Sequence, residues 1–342
     1  MAIRTARSGD TPAGLKLAQR AWKDARNGGG AELQLYALNT LANCQAIHND
    51  YIEAVASAID AYEMALRQSD EVAQIFALIT LAGASGFTLE TYDETLVALG
   101  HCRRRAEKID DSYLLRRIGN ICGVMLGNLG RFDEAEREFE WVEAHADETD
   151  VNTPPPLVGG NRAHCAIKRA RAAADGERER WLAIAEQRTE QTLALARARG
   201  NRDAESRMMF NRGEICSVRG DWPAAIAAFG EALALARSLK QRIRVIDVLV
   251  ELGRMRMGAG QWQEALDTFG AAFAEADTMR PTIRAAQAAE YQADALQALA
   301  RLDEAQHQRA IAERERKQFE RERDHVRQAL QAFWRDHPAG NA

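Results

Sequence analysis

The stretch Gly-Asp-Trp-Pro-Ala-Ala-Ile-Ala-Ala-Phe occupies residues 220–229, and 40 residues later Gly-Gln-Trp-Gln-Glu-Ala-Leu-Asp-Thr-Phe occupies residues 260–269. Both copies carry Gly, Trp, Ala and Phe at the same positions, and a further glycine, Gly213 or Gly253, precedes each copy. Small residues let two helices cross closely, and a large aromatic residue fills the space beside the turn between them. The two stretches therefore predict antiparallel helix pairs that repeat about every 40 residues.

The same spacing extends along most of the chain. Proline is limited to seven residues, and no alternating β-branched run interrupts the pattern. Steps of 40 or 41 residues, with one step of 50, place a small residue at every predicted helix crossing: Ala2, Ala42, Gly83, Gly123, Ala163, Gly213, Gly253 and Ala293. This regularity predicts an all-α fold, an α-solenoid with a shortened first helix pair and seven further pairs.

The composition narrows the classes of partner and the compartment. With 45 basic and 50 acidic residues the net charge is −5, which is too balanced for general attraction to a phosphate backbone, so we expect no nucleic-acid partner. The five cysteines lack the paired spacing of a disulfide framework or a zinc site. The first ten residues lack the apolar core of a signal peptide, and no apolar stretch approaches about 18 residues. We therefore expect a cytoplasmic protein without a membrane partner.

Two irregular regions divide the predicted solenoid. We expect an N-terminal half at residues 1–150, a Pro-rich loop at 151–156, a C-terminal half at 157–303 and a long charged helix at 304–335. The step of 50 residues places extra length near Ala172 to Arg180, as a longer helix or an extended turn. In the last helix the apolar residues follow a coiled-coil seam that either forms a homodimer or covers the last repeat: Phe319, Val326, Leu330 and Phe333.

Together with Gly213, the residues Trp222, Ala225, Phe229 and Ala232 resemble the motif of the tetratricopeptide repeat (TPR) family. The resemblance covers roughly residues 1–320, although the period of about 40 residues is longer than the usual one of about 34. The sequence is similar to the long-repeat branch of this family, which is found in Rap-type regulators, kinesin light chains and the sensory halves of bacterial diguanylate cyclases. The resemblance implies a right-handed superhelix whose A helices, the first of each pair, line a concave binding groove.

The sequence contains no convergent set of catalytic groups. His164 and Cys165 are adjacent, so on a helix they point about 100° apart, which does not suit a nucleophile and its base. Paired Cys or His ligand spacings and a phosphate-binding glycine loop do not occur, and neither does the Gly-Gly-Asp/Glu-Glu-Phe signature of the cyclases. We predict a non-catalytic protein without a metal or cofactor.

The predicted groove positions change from neutral through basic to acidic along the chain. Asparagine can donate to and accept from a peptide backbone, and arginine or lysine can hold a carboxylate or phosphate. The alternative is that these side chains bond to neighbouring repeats. The candidate ligand-binding residues are Asn39, Asn43, Arg117, Asn120, Asn161, His164, Lys168, Arg207, Asn211 and Arg254.

These patterns favour a regulatory or adaptor protein that binds a peptide or protein segment, one that carries an acidic group, in the concave groove. The cyclase resemblance implies an alternative, in which the chain is a sensory domain that binds a small anionic metabolite. In that case the C-terminal helix would transmit the change that metabolite binding causes.

Overall fold

A computed structural model describes residues 1–7, 10–48, 50–147, 149–150, 154–277 and 283–337. Within these ranges the chain forms sixteen α-helices and no strand, and none of the described helices is long and apolar enough to cross a membrane. The helices are α1 (Ala2–Arg7), α2 (Thr11–Gly28), α3 (Ala31–Ile47), α4 (Tyr51–Arg67), α5 (Glu71–Leu89), α6 (Tyr92–Lys108), α7 (Ser112–Asn128), α8 (Phe132–Ala144), α9 (Pro155–Ala172), α10 (Asp175–Ala198), α11 (Arg202–Arg219), α12 (Trp222–Ser238), α13 (Arg242–Gly258), α14 (Trp262–Asp277), α15 (Ile283–Ala298) and α16 (Leu302–Asp336).

Each helix packs on the next, so the sixteen described helices form eight consecutive pairs. The first pair is short because α1 has only six residues, and its Ala2 and Ala6 are buried. The remaining seven pairs follow the predicted spacing. The prediction of an all-α solenoid of TPR-like helix pairs is confirmed.

The predicted crossing glycines lie directly under buried phenylalanine rings of the partner helix. A Cβ atom added to Gly213 would lie 2.6 Å from the ring of Phe229, and one added to Gly253 would lie 2.5 Å from that of Phe269. Both phenylalanines are fully buried. Because real Cβ atoms do not approach so closely, the spacing of helices α11 and α12, and of α13 and α14, depends on glycine at these positions.

The extra length in the middle of the chain lies in a longer helix. Helix α10 has 24 residues, whereas α12 has 17. Arg116 of α7 holds the segment between α8 and α9, because its Nε donates to Oδ2 of the buried Asp150 at 3.0 Å. Residues 151–153 of the predicted Pro-rich loop lie outside the described residues.

Helix α16 extends beyond its own repeat and reaches the N-terminal half. Its first part packs on α15, and its second part contacts α4 and α5. The side chains of Val326, Leu330 and Phe333 are buried in the apolar core of the N-terminal repeats. The ring of Phe333 lies edge-on to Tyr62, with 5.2 Å between ring centroids.

This contact corrects the interpretation of the C-terminal seam. The seam does not cover the last repeat alone, and Val326, Leu330 and Phe333 are buried within the chain rather than open to a second copy. The predicted homodimer through this helix is therefore not supported. Instead α16 connects the last repeat to the second and third helix pairs, where Arg323 Nη2 donates to the carbonyl of Leu89 at 3.1 Å. The solenoid closes on itself.

Candidate ligand-binding chamber

A cavity of about 300 Å³, here called the inner chamber, is lined by residues of the second to the sixth helix pair. Its walls come from the C-terminal part of α3, the second half of α5, the middle of α7, the start of α4, and the first two turns of α9 and α11. Five of the ten predicted site residues line it: Asn43, Arg117, Asn120, Asn161 and Arg207. The structure therefore brings together residues that are up to 164 positions apart in the sequence, from Asn43 to Arg207.

Arg117 is the most buried cation of the inner chamber, with 6% of its surface exposed. Its Nη2 donates to Asn43 Oδ1 at 3.3 Å and to Thr80 Oγ1 at 3.2 Å, and its guanidinium lies 3.9 Å from the ring centroid of Phe76. Its Nη1 has no hydrogen-bond partner among the described residues. Burial lowers the pKa of Arg117 because a desolvated charge is costly.

Further arginines approach the inner chamber from the C-terminal repeats. Arg207, Arg244 and Arg284 act on the phenol of Tyr51, which lines the chamber and stacks on Phe87 at 5.6 Å. Burial raises the pKa of Tyr51, and these three guanidinium groups oppose that rise. Burial also lowers the pKa of Arg244 to about 10, with the charge of Arg207 acting in the same direction. The start of α4 therefore faces a cationic wall.

Carboxylates lie near each of these arginines. Arg207 pairs with Asp203 at 3.1 Å, and Arg284 pairs with Asp247. Arg244 feels the same two aspartates, and the charge of Asp150 acts on Arg117. The charged residues that line the cavity itself are Arg117 and Arg207, so its wall is cationic.

The predicted ladder of asparagines is largely used between neighbouring repeats. Nδ2 of Asn161 donates to Oδ1 of Asn120 at 3.0 Å, and Nδ2 of Asn211 donates to the carbonyl of Gly160 at 3.4 Å. Asn39 differs: it is 7% exposed, and its Oδ1 has no hydrogen-bond partner in the described ranges.

Five of the ten predicted site residues do not line the inner chamber: Asn39, Asn211, His164, Lys168 and Arg254. Nδ1 of His164 and Nη2 of Arg171 lie 2.8 Å from the two carboxylate oxygens of the buried Glu214. Lys168 donates to the side chain of Asn128, and burial lowers the pKa of Lys168.

Arg254 completes this second polar cluster by pairing with Glu251 at 2.9 Å. Burial raises the pKa of Glu251, and the charge of Glu214 adds to the rise. The cluster thus satisfies its own charges through pairs within and between helices.

The Glu214 carboxylate gives a pH-dependent prediction. Burial would raise its pKa, but the charges and hydrogen bonds of His164 and Arg171 hold that pKa at about 2, below its ordinary value of 4.5. A depressed carboxyl pKa contributes stability above the unfolded-state value, and this contribution is lost as the pH falls from 4.5 towards 2. Its full size is on the order of 3 kcal/mol.

We therefore expect Glu214→Gln to be less stable than the wild type at pH 7, with a difference that narrows as the pH falls from 4.5 towards 2. Urea unfolding at a series of pH values measures the difference. A difference that stays constant over this range would show that the carboxylate is not held in the charged form by its neighbours.

Sequence reasoning missed three residues at the inner chamber: Tyr51, Arg244 and Arg284. Tyr51 occupies the position after a turn, where the repeat pattern predicts an aromatic residue that packs between helices. Arg244 and Arg284 each precede a crossing residue, Gly253 and Ala293, by nine positions. Both arginines lie one helical turn before the predicted groove positions, towards the start of each A helix.

Buried thiols in the described chain are not suited to nucleophilic chemistry. Burial raises the pKa of Cys102 and Cys122 to about 12 and that of Cys165 to about 11, so these groups stay protonated near neutral pH. The described residues also contain no group of three or more His, Cys, Asp or Glu side chains that could hold a metal ion.

No protein-family model matches the sequence, and no curated protein is significantly similar to it. The fold is similar to a solved Rap protein complexed with competence and sporulation factor, with 12% identity, a TM-score of 0.55, and coverage of 89% of this chain and 81% of that one. A second similar structure is a Podosopora anserina putative kinesin light chain with TPR-like repeats, with 19% identity, a TM-score of 0.42, and coverage of 58% of this chain and 94% of that one. A third is a Parabacteroides merdae tetratricopeptide repeat protein, with 12% identity, a TM-score of 0.47, and coverage of 84% of this chain and 96% of that one. At 12% identity the Rap likeness establishes a shared fold. The chain is a TPR-like helical solenoid, closed by its last helix around a cationic chamber.

Proposed function

We propose that this chain is a non-catalytic, cytoplasmic regulatory or adaptor protein that binds a peptide or protein segment with an acidic group of that segment in the inner chamber. One observation carries the proposal: the charged residues that line the inner chamber are two arginines, Arg117 and Arg207, and the described lining residues include no Asp or Glu. An incoming carboxylate would pair with these guanidinium groups.

The closed architecture supports a regulatory role. Residues of the inner chamber come from both halves of the solenoid, and α16 joins the halves on the outside. A ligand that contacts both walls would stabilise the closed form by mass action. The Rap protein of similar fold was solved with competence and sporulation factor bound, and by analogy of fold a groove ligand is the natural class for this chain.

The volume of the inner chamber also suits the alternative function, a sensor of a small anionic metabolite, since about 300 Å³ is the lower end of the range for small-molecule sites. The difference between the two functions is whether the ligand extends beyond the chamber. Inorganic phosphate and citrate serve as probes of the alternative. A shift of the melting temperature with either of them, without retention of any peptide, would favour the metabolite sensor.

The test uses a pool of synthetic pentapeptides with free carboxyl termini, in which the other positions are drawn from apolar and small residues. Arg207→Gln should lower retention of the pool by about 10-fold to 100-fold, the loss expected for one charged hydrogen bond. Arg202→Gln is the matched control, because Arg202 is exposed at the start of the same helix and does not line the chamber. Equal retention by the two variants, or no retention by the wild type, would refute the proposal.

A further inference from the structure

A second cavity of about 830 Å³, here called the mouth, lies next to the inner chamber between helices α3, α5 and α7. Apolar side chains dominate its lining, and several of them are exposed although they face a concave surface. Tyr36 is 71% exposed, Leu33 55% and Val72 48%. Phe76 and Tyr113 line the inner part and stack with 6.3 Å between their ring centroids. Exposed apolar residues gathered in one concavity are typical of a binding surface rather than of ordinary protein surface.

The mouth and the inner chamber are consecutive sections of one groove. On each of the three A helices, one residue lines the mouth and the residue four positions later lines the chamber. The pairs are Asn39 and Asn43 on α3, Phe76 and Thr80 on α5, and Tyr113 and Arg117 on α7. Arg117 forms the boundary, since its guanidinium stacks on Phe76 while its Nη2 bonds to Thr80 and Asn43.

The charges of the two sections differ in sign. Glu32 and Asp70 line the mouth, whereas the charged residues that line the inner chamber are Arg117 and Arg207. A ligand with an acidic end and a neutral or basic remainder would therefore place its acidic end inside.

We infer that the mouth takes an apolar side chain of the same ligand, at about two residues before the acidic group that occupies the inner chamber. Four helical positions correspond to a rise of about 6 Å, and an extended peptide advances about 3.3 Å per residue. The ligand class is thus a short segment with a branched or aromatic side chain two positions before a terminal carboxylate. This inference rests on the proposed function, because it assumes that the acidic group binds in the chamber.

The experiment compares three pentapeptide pools with free carboxyl termini and otherwise only Ala, Ser, Thr and Gly. Leucine is fixed at the third position in one pool and at the fifth in another, and the third pool has serine fixed at the third position. Wild-type protein is expected to bind the pool with leucine third about 10-fold more tightly than the serine pool, and more tightly than the pool with leucine fifth. Fluorescence competition against one retained peptide measures the affinities.

The variant Leu33→Ser with Val72→Ser should lose this 10-fold preference but bind the serine pool as the wild type does. Leu302→Ser is the matched control, because Leu302 is a 64% exposed leucine outside the mouth and should leave the preference intact. All these positions are exposed, so the variants are expected to fold.

The outcomes separate this inference from the proposed function. If the wild type binds all three pools equally, or the mouth variant keeps the preference, the inference is wrong and the acidic site stands. If the wild type binds none of the pools, the proposed function fails and the inference fails with it. If leucine at the fifth position is preferred, the inferred spacing of two residues between the apolar side chain and the carboxylate is wrong.

Discussion

Phe229→Ala is expected to lower the free energy of unfolding by about 3–5 kcal/mol, the range for removing a large buried aromatic ring. Phe229 has no exposed surface, covers Gly213 and lies edge-on to Phe210 at 5.4 Å between ring centroids. The cavity left by alanine could not close by a small shift, because the backbone of Gly213 has no side chain to fill it. Urea unfolding followed by far-UV circular dichroism measures the change.

The matched control for this prediction is the next residue on the same helix. Gly230→Ala places a Cβ atom in open space on the exposed side of α12. Alanine favours the helix over glycine, so this variant should be more stable than the wild type by up to about 1 kcal/mol. A loss of less than about 1 kcal/mol in Phe229→Ala would mean that the ring under the crossing glycine does not hold the repeat together.

Phe333→Ala is expected to release the second part of α16 from the N-terminal repeats. Phe333 is 4% exposed and contacts Tyr62, while Val326 and Leu330 on the same face are buried in the same core. Loss of the ring should cost about 3–5 kcal/mol of local stability. Because α16 joins the two ends of the solenoid, the cost should appear as faster exchange in α16 and in the α5 segment near Leu89.

Hydrogen exchange with mass spectrometry tests this release peptide by peptide. Gln331→Ala is the control, since Gln331 is exposed on the same stretch of α16. Its exchange should match that of the wild type. Unchanged protection of residues 320–336 in Phe333→Ala would contradict the account of α16 as the element that closes the solenoid.

The sequence predicted the repeat well because its determinants are local. Gly213 and Phe229 are 16 positions apart, and the pair recurs as Gly253 and Phe269, so one spacing rule describes the packing of both. The partner of α16 could not be predicted in the same way. The seam at Val326 and Leu330 shows that an apolar partner exists, but the identity of that partner depends on curvature that accumulates over seven repeats.

The candidate site was predicted in part for the same reason. Counting groove positions on each A helix selected Arg117 and Arg207, and both residues line the inner chamber. This count could not show that Arg117 would bond to Asn43 and Thr80, or that Tyr51 of an early repeat would face arginines of the last repeats. Contacts between distant repeats depend on how the whole solenoid closes.

The most direct test of the central claim is a double-mutant cycle between the ligand's carboxylate and Arg207. Isothermal titration would compare one retained pentapeptide, as the free acid and as the carboxyl-terminal amide, on the wild type and on Arg207→Gln. We predict that amidation weakens binding to the wild type by about 10-fold or more and weakens binding to Arg207→Gln by much less. Equal affinity of the acid and the amide for the wild type, or the same loss on both proteins, would contradict an acidic group in the inner chamber.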